Sequence, residues 1–537
     1  MTSTVQSVPA PMSISTSQAW DDDGAGSWST FILEIGTPAQ PARVLISTAS
    51  NEVWVVAPEG CPSAYGSDCA NQRGLEFTSN KSSTWSSIGL FELNLETNLN
   101  YSGNGDYGHD NVSLGYPGSG GPSLPSMNVA GIATTDFWIG HFGIDPEPSN
   151  FTTLNDPQPS YLDTLYKKSM IPSISWGYTA GASYRYNKVP GSLTLGGYDT
   201  SRFGQSNLTL DFYPDVARRL IVDLTSITYT PTGGLSVGSA STLMLQTIPM
   251  FIDSTVPYLY LPQVVCDQFE SAFQLQYDDM SELYTINGTA QKILTTMNPS
   301  FTFTLADTTG QTLTITLPFL AFNLTASFPL VQSETNYFPL KRATNNTQYT
   351  LGRAFLQEAY IIADYQRSRF SISQCLWPAS FTENLVAILP PDGLNSSTNT
   401  TTTTTANKSA PTGAIVGGVI GGVVVIIIFI FVGYLFVYKP AQRRKKSPST
   451  LEGATDTTEP KPELDATNQD TAKLTSNELD GDGFYSPVSH IQETCTHQLE
   501  DTSRGEHKIE SPGEFRSELN STPIYEMAAR ELVGNES

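Results

Sequence analysis

The sequence predicts an all-β extracytoplasmic portion built from two related halves, followed by one transmembrane helix and a disordered polar tail. Three observations carry that prediction. Residues 28–378 hold short alternating apolar and polar runs, such as Trp28-Ser-Thr-Phe-Ile-Leu-Glu-Ile35 and Phe301-Thr-Phe-Thr-Leu305, separated by Gly, Pro, Asn and Asp turn formers. Val44-Leu-Ile-Ser-Thr-Ala-Ser50 returns in diverged form as Met250-Phe-Ile-Asp-Ser-Thr-Val256, one copy in each half. Residues 414–437 contain no charge and are dominated by Val, Ile, Phe and Gly. Helical periodicity is scarce, and residues 161–168 and 266–273 are its best instances.

Composition bounds the function. The chain has 537 residues, enough for two sizeable cores with further segments. Its formal net charge is −24, which argues against a nucleic-acid partner, since that would need a basic face. Hydrophobic residues make up 39 % and charged residues only 15 %, so most of the chain can fold, and the acidic balance suits solubility in an acid compartment.

The uncharged segment 414–437, at ~1.5 Å per residue, is long enough to span a bilayer core of ~30 Å. Lys439, Arg443, Arg444, Lys445 and Lys446 follow it directly. Positive residues mark the cytoplasmic flank, so a type I, single-pass topology is expected, with the larger N-terminal portion extracellular or lumenal. Residues 1–20 lack the apolar core of a signal peptide. We expect a reading frame that starts downstream of such a signal; the rival is a cytosolic protein inserted with the opposite exposure. Eleven Asn-x-Ser/Thr sites precede the apolar segment and favour the lumenal side: Asn80, Asn100, Asn111, Asn150, Asn207, Asn287, Asn323, Asn345, Asn395, Asn399 and Asn407. Cys61 and Cys69 are close enough in sequence to close a small disulfide loop, and Cys266 with Cys375 forms a second candidate pair, leaving Cys495 beyond the membrane. The divisions expected are an N-terminal segment (1–27), two β halves (28–199 and 200–378), a Ser/Thr/Asn-rich stalk (379–413), the membrane helix (414–437) and the tail (438–537). The stalk cannot bury enough apolar surface to order itself. Gly417-Gly418 and Gly421-Gly422 offer a small-residue face for helix-mediated dimerisation, with bilayer filling as the alternative. In the tail, Tyr485-Ser-Pro-Val resembles a tyrosine-based sorting signal, and 525–532 suits a short helix on a partner.

The two repeated loops resemble the paired Asp-Thr/Ser-Gly loops of pepsin-like aspartic peptidases, and the resemblance runs over about residues 28–378. Ile35-Gly-Thr-Pro-Ala-Gln40 is similar to the family's entry strand and turn, and Trp54 stands seven residues after Ser47, as the family's Trp does after its first catalytic residue. Phe77-Thr-Ser-Asn-Lys-Ser-Ser-Thr84, Gly191-Ser-Leu-Thr-Leu-Gly-Gly-Tyr-Asp199, Pro262, Tyr349-Thr-Leu-Gly-Arg-Ala-Phe355 and Ile361-Ile-Ala-Asp364 follow in the family's order. The resemblance implies a bilobal fold with a central cleft that binds an extended peptide or glycoprotein, tethered to a membrane like fungal surface relatives. It implies no cofactor and no metal.

Aspartic proteolysis activates a water between two carboxylates that share one proton. Asp253 matches the second of these positions, and Ser47 replaces the first. A serine hydroxyl cannot accept the water's proton at acid or neutral pH. Losing a general acid or base costs ~10²–10⁴-fold, so we expect proteolysis to fall by at least ~10³-fold. The family's Gly at the third loop position is Ala49 in one copy and Thr255 in the other, whereas Thr48 and Ser254 keep the hydroxyls that lock the loops together in the family. Tyr101 is the candidate flap residue, nine positions before the Asp of Gly108-His-Asp110, which resembles the turn that follows the family's flap. Asp253 has a structural alternative, as an acceptor for its own loop. A serine-nucleophile role for Ser47 is disfavoured, because His109 and His141 sit in no recognisable triad motif. The reading is a catalytically impaired, peptide-binding surface protein. Its alternatives are an active peptidase that draws another carboxylate to Asp253, and a structural surface glycoprotein.

Overall fold

A computed structural model describes residues 8–153, 155–186, 188–230, 241–378 and 382–391. The segments 414–437 and 438–537, with Asn395, Asn399, Asn407 and Cys495, lie outside the described residues. No helix among the described residues is long and apolar enough to cross a membrane.

The alternating runs form strands, and the strands assemble into three large sheets. One eight-stranded sheet is drawn from the first half, running from Thr16–Asp22 at one edge to Ser86–Glu92 at the other. A second eight-stranded sheet comes from the second half, between Ile221–Thr230 and Thr350–Leu351 in sequence. A six-stranded antiparallel sheet joins them, taking Met12–Ile14, Val189–Leu195 and Ser175–Ala182 from one half and Ala359–Asp364, Arg369–Cys375 and Phe203–Asp211 from the other. The main apolar core is continuous across this joining sheet, with Trp176, Tyr178, Leu193, Ile361 and Ile372 buried in it. The two halves therefore share one interior.

The internal repeat is structural as well as sequential. Gln40–Ser47 runs parallel to Gly140–Gly143, with Ser47 opposite Gly143. Ile248–Ile252 runs parallel to Thr350–Leu351 in the same way. Each then returns through an antiparallel neighbour, Val53–Val56 in the first half and Leu259–Pro262 in the second. Glycine is required at the equivalent crossings. A Cβ on Gly143 would stand 2.4 Å from the Ser50 carbonyl oxygen, and one on Gly352 would stand 2.3 Å from that of Tyr258. Both crossings bring the backbone close under the loop that follows each floor strand.

Several expectations need correction. The boundary at residue 28 cuts a sheet, because Met12–Ile14 and Thr16–Asp22 pair with later strands. At the other end, Leu385–Ala387 pairs with Gly197–Asp199, so ordered structure extends past residue 378. Gly108-His-Asp110 is no turn: it lies inside the strand Asn104–Leu114, where a Cβ on Gly108 would strike the Trp85 ring at 2.4 Å. The expected helices occupy Tyr161–Lys167 and Gln263–Phe273, and a further helix, Gly288–Met297, had no clear periodic signal. Its N-cap is Asn287, whose Oδ1 accepts from the N–H groups of Thr289 and Ala290.

The cysteine pairing divides. Cys61 and Cys69 form a disulfide. Cys266 and Cys375 do not pair, contrary to expectation, and both are free and buried. Cys266 packs on its helix beside the carbonyls of Leu261 and Lys341, at 3.7 and 3.6 Å. Cys375 closes a strand of the joining sheet, its Sγ 3.3 Å from Thr179 Oγ1. They belong to different layers, and burial holds both thiols in the protonated form, that of Cys266 pushed up to about 12.

Asn80, Asn100, Asn150, Asn207, Asn287 and Asn345 are exposed. Asn111 and Asn323 are half-buried, and their side chains bond Thr37 and Gln291 respectively.

Candidate functional site

The two repeated loops meet at the middle of the molecule. Thr48 N–H donates to Ser254 Oγ and Ser254 N–H donates to Thr48 Oγ1, each at 3.0 Å. The Ser254 hydroxyl donates to the Ile46 carbonyl at 2.7 Å. These reciprocal bonds are buried and fix the loops against each other across a sequence separation of 206 residues.

Ser47 and Asp253 are both fully buried in this junction. Thr255, at the position where the resemblance would place Gly, fills the space between them. Its N–H donates to Asp253 Oδ1 at 2.8 Å, and its hydroxyl also serves the Asp253 carboxyl. Ser47 Oγ lies 2.6 Å from Thr255 Oγ1 and accepts from Ser50 N–H at 2.9 Å. Either hydroxyl of the Ser47–Thr255 pair can be the donor. The result is a chain of hydrogen bonds from Ser50 through Ser47 and Thr255 to Asp253, in which the Ser47 hydroxyl is no base for a water's proton at acid or neutral pH. Arg353, buried beneath, donates to the carbonyls of Ser254 and Thr255 at 2.9 and 2.6 Å and pairs with buried Asp23.

Asp253 nevertheless has a carboxyl neighbour. No N–H or O–H among the described residues donates to its Oδ2, and the carboxyl of Glu96 lies within hydrogen-bonding reach of it. Glu96 stands at the tip of the hairpin formed by Ser86–Glu92 and Asn104–Leu114, which folds over the cleft. The residue as a whole is half-buried, and its carboxyl is enclosed. Burial raises the pKa of both groups, and for Glu96 the adjacent Asp253 raises it further. Two carboxyls in contact can bond only if they share a proton. The nearest charged group that opposes this shift at Glu96 is the Arg218 guanidinium.

The hairpin tip is held down from both sides. Asn94, Glu96 and Asn100 all take left-handed φ values, +49°, +55° and +67°. Such backbone costs of order 1 kcal/mol or more per residue and persists only where surroundings enforce it. Leu99 is buried in an apolar cluster with Tyr258, Tyr260 and Tyr337 of the second half. Asn98 Nδ2 donates to the Thr347 carbonyl at 2.8 Å, and Gln348 Nε2 donates to the Asn98 carbonyl. Tyr101 lies on this hairpin, 5.3 Å from the Phe137 ring and against Tyr260. It lines the cleft cavity, near Glu96 and Asp23.

Next to this floor is a cleft cavity of about 410 Å³, lined by Asp23, Tyr101, Phe137, His141, Tyr258 and Lys341 among others. Its walls mix aromatic rings with charged and polar groups, a lining that suits a peptide-sized ligand. Burial holds His141 neutral, its pKa pushed down to about 3, and Lys341 down to about 8. No group of three or more His, Cys, Asp or Glu among the described residues is placed to hold a metal ion.

The family model for eukaryotic aspartyl proteases matches residues 30–375. The chain belongs to that family. Among fungal relatives, an acid protease of Saccharomycopsis fibuligera is 24 % identical over 345 residues, covering 64 % of this chain and 79 % of that protein. Barrierpepsin of Saccharomyces cerevisiae is 22 % identical over 422 residues, covering 71 % and 67 %. Candidapepsin of Candida tropicalis is 25 % identical over 361 residues, covering 64 % and 78 %.

As an aspartyl protease homologue, the chain brings Ser47, Thr48, Asp253 and Ser254 together at its floor, with Tyr101 at the cleft wall. Sequence reading missed Glu96, Arg218 and Thr255 as partners of Asp253. Arg353 lay inside a quoted motif, but its role there went unread. Glu96 sits in no motif, and only the folding of the hairpin tip brings it to Asp253.

Proposed function

We propose that this aspartyl protease homologue binds an extended peptide in its cleft without efficient hydrolysis, displayed on the outer or lumenal face of a membrane. One observation carries the proposal: Ser47, bonded to Thr255 and to Ser50 N–H, stands where the first carboxylate of the pair would be, and a hydroxyl is no base at working pH. Thr255 also blocks the space where Gly would let a water approach Asp253. The cleft itself stays built, with an aromatic wall and a locked floor, which supports retained binding. The sequence pattern at 414–446 supports the membrane tether.

A second reading has a specific observation behind it. The Glu96 carboxyl beside Asp253 makes a proton-sharing pair, the kind of group that acid proteolysis uses. In that reading the chain is a working endopeptidase whose second carboxyl comes from the hairpin.

Incubation of the full-length protein with a random octapeptide library, at about pH 4.5 and about pH 7, separates the two, because acid–base catalysis by a shared-proton pair is pH-dependent. Mass spectrometry would read retained and cut peptides. Retention of intact peptides is expected at about pH 7. Cutting that disappears in Asp253→Ala and in Glu96→Gln would overturn the proposal in favour of the second reading.

A further inference from the structure

We propose that the hairpin tip is the cleft's own occupant: Glu96 latches onto Asp253 through a shared-proton carboxyl bond that holds the cleft shut under acid conditions and releases it when both groups ionise. An extended peptide would then be admitted toward neutral pH. The inference rests on the peptide-binding reading of the cleft and adds its regulation.

The argument is geometric first. The tip reaches across the cleft, buries Leu99 among tyrosines of the opposite half, and exchanges hydrogen bonds there through Asn98, Thr347 and Gln348. Three of its non-glycine residues adopt left-handed backbone to achieve this. Asp253 Oδ2 is fully buried without an N–H or O–H donor among the described residues, so the Glu96 carboxyl faces a buried, unpartnered acceptor. A peptide lying across the floor would need the position Glu96 holds.

The charge around the pair fixes the direction of the switch. Glu96 faces Asp253 and Arg218, with Tyr101 and Tyr260 close by. Asp253 faces Arg353, Arg218 and Tyr178 as well. His141, near Arg353, is held neutral. Burial holds the tyrosines protonated, so the two carboxyls are the facing groups whose charge changes. Both have pKa values raised in the closed form, Glu96 well above the ordinary carboxylate range. A group whose pKa is raised on closing stabilises the closed form fully below its ordinary pKa and loses that effect as pH rises through the raised value. Above that value two adjacent carboxylates repel, with Arg218 only partly compensating.

Hydrogen exchange of the tip, residues 93–103, reads the latch directly in the full-length protein, after correction for the intrinsic pH dependence of exchange. Protection in wild type is expected to fall by about tenfold or more between about pH 4.5 and about pH 7.5, as the pair ionises. Glu96→Ala should leave the tip unprotected at both values. Glu96→Gln, whose amide donates to the Asp253 carboxylate without a shared proton, should keep it protected at both. Exchange in the joining sheet, followed in the same samples, reports whether each variant is folded. Equal wild-type protection at both pH values, or a Glu96→Ala tip as protected as wild type, would overturn the latch. Octapeptide retention by Glu96→Ala separates the two ideas. An open tip that retains no peptide defeats the binding reading and leaves the latch standing, while retention with an unchanged tip does the reverse.

Discussion

At the scale of single residues, Ser47 keeps the scaffold of the first floor loop while placing a hydroxyl where the resemblance puts a carboxylate. The residue occupies its floor position, is fully buried, and joins the same loop network that an aspartate would. What it lacks is a second acceptor oxygen and a titration in the working range. Thr255 then matters as much as Ser47, because its hydroxyl bonds Ser47 while its N–H donates to Asp253. Restoring a carboxylate at 47 alone would bring it against the Thr255 hydroxyl. We therefore predict that Ser47→Asp gives little peptidase activity and that Ser47→Asp combined with Thr255→Gly gives clearly more, measured as initial rates on a peptide library. The locking hydroxyls follow a separate logic. Thr48→Ala leaves the buried Ser254 N–H without its acceptor, which costs about 1–3 kcal/mol, read by denaturant unfolding. Thr48→Ala with Ser254→Ala should cost less than the two single changes added, because the residues serve one network.

At the scale of elements, strand patterns, turn formers and the repeat were legible because each is written in local sequence with period two and its punctuation. The pairing of the two loops was legible because their polar triplets are alike. The helix Gly288–Met297 was not, since its buried residues are few and its N-cap Asn287 reads equally as a glycosylation site. Asn287→Ala should cost the helix about 1 kcal/mol through the lost cap, whether or not a glycan is attached, and Thr289→Ala, which removes only the acceptor motif, should not. The Cys266–Cys375 expectation failed for a related reason: pairing the cysteines left over ahead of residue 414 gives no information on which layer each occupies. Glu96 was illegible because its partner is 157 positions away and its own hairpin carries no family signature. Left-handed backbone at Asn94, Glu96 and Asn100 is a three-dimensional signal only.

At the scale of the whole molecule, the buried carboxyls act together. Asp23, Glu96, Asp145, Asp253 and Glu358 all have pKa values raised by burial, that of Asp145 to about 6 despite its pairing with Arg219. Each stabilises the fold below about pH 4, where the unfolded chain also holds its protons, and loses that contribution as pH rises through its raised value. For Asp145 the loss runs from 3.8 to about 6. The thermal midpoint should therefore fall between about pH 4 and about pH 7, and Asp145→Asn should flatten that fall, both readable by scanning calorimetry. Carboxyls of this kind and an acidic chain together suit an acid compartment, the same condition under which the Glu96 latch is closed.

The central claim is that the fold of an acid peptidase persists here while its dyad does not. The most direct measurement compares peptide-library hydrolysis from about pH 4.5 to about pH 7.5, with the hairpin tip both latched and released, by wild type, Asp253→Ala and Ser47→Asp/Thr255→Gly. The account predicts that wild type and Asp253→Ala are equally silent and that the double variant gains activity. Wild-type hydrolysis abolished by Asp253→Ala would contradict it, and would place Asp253 and a second carboxyl at the centre of a working enzyme.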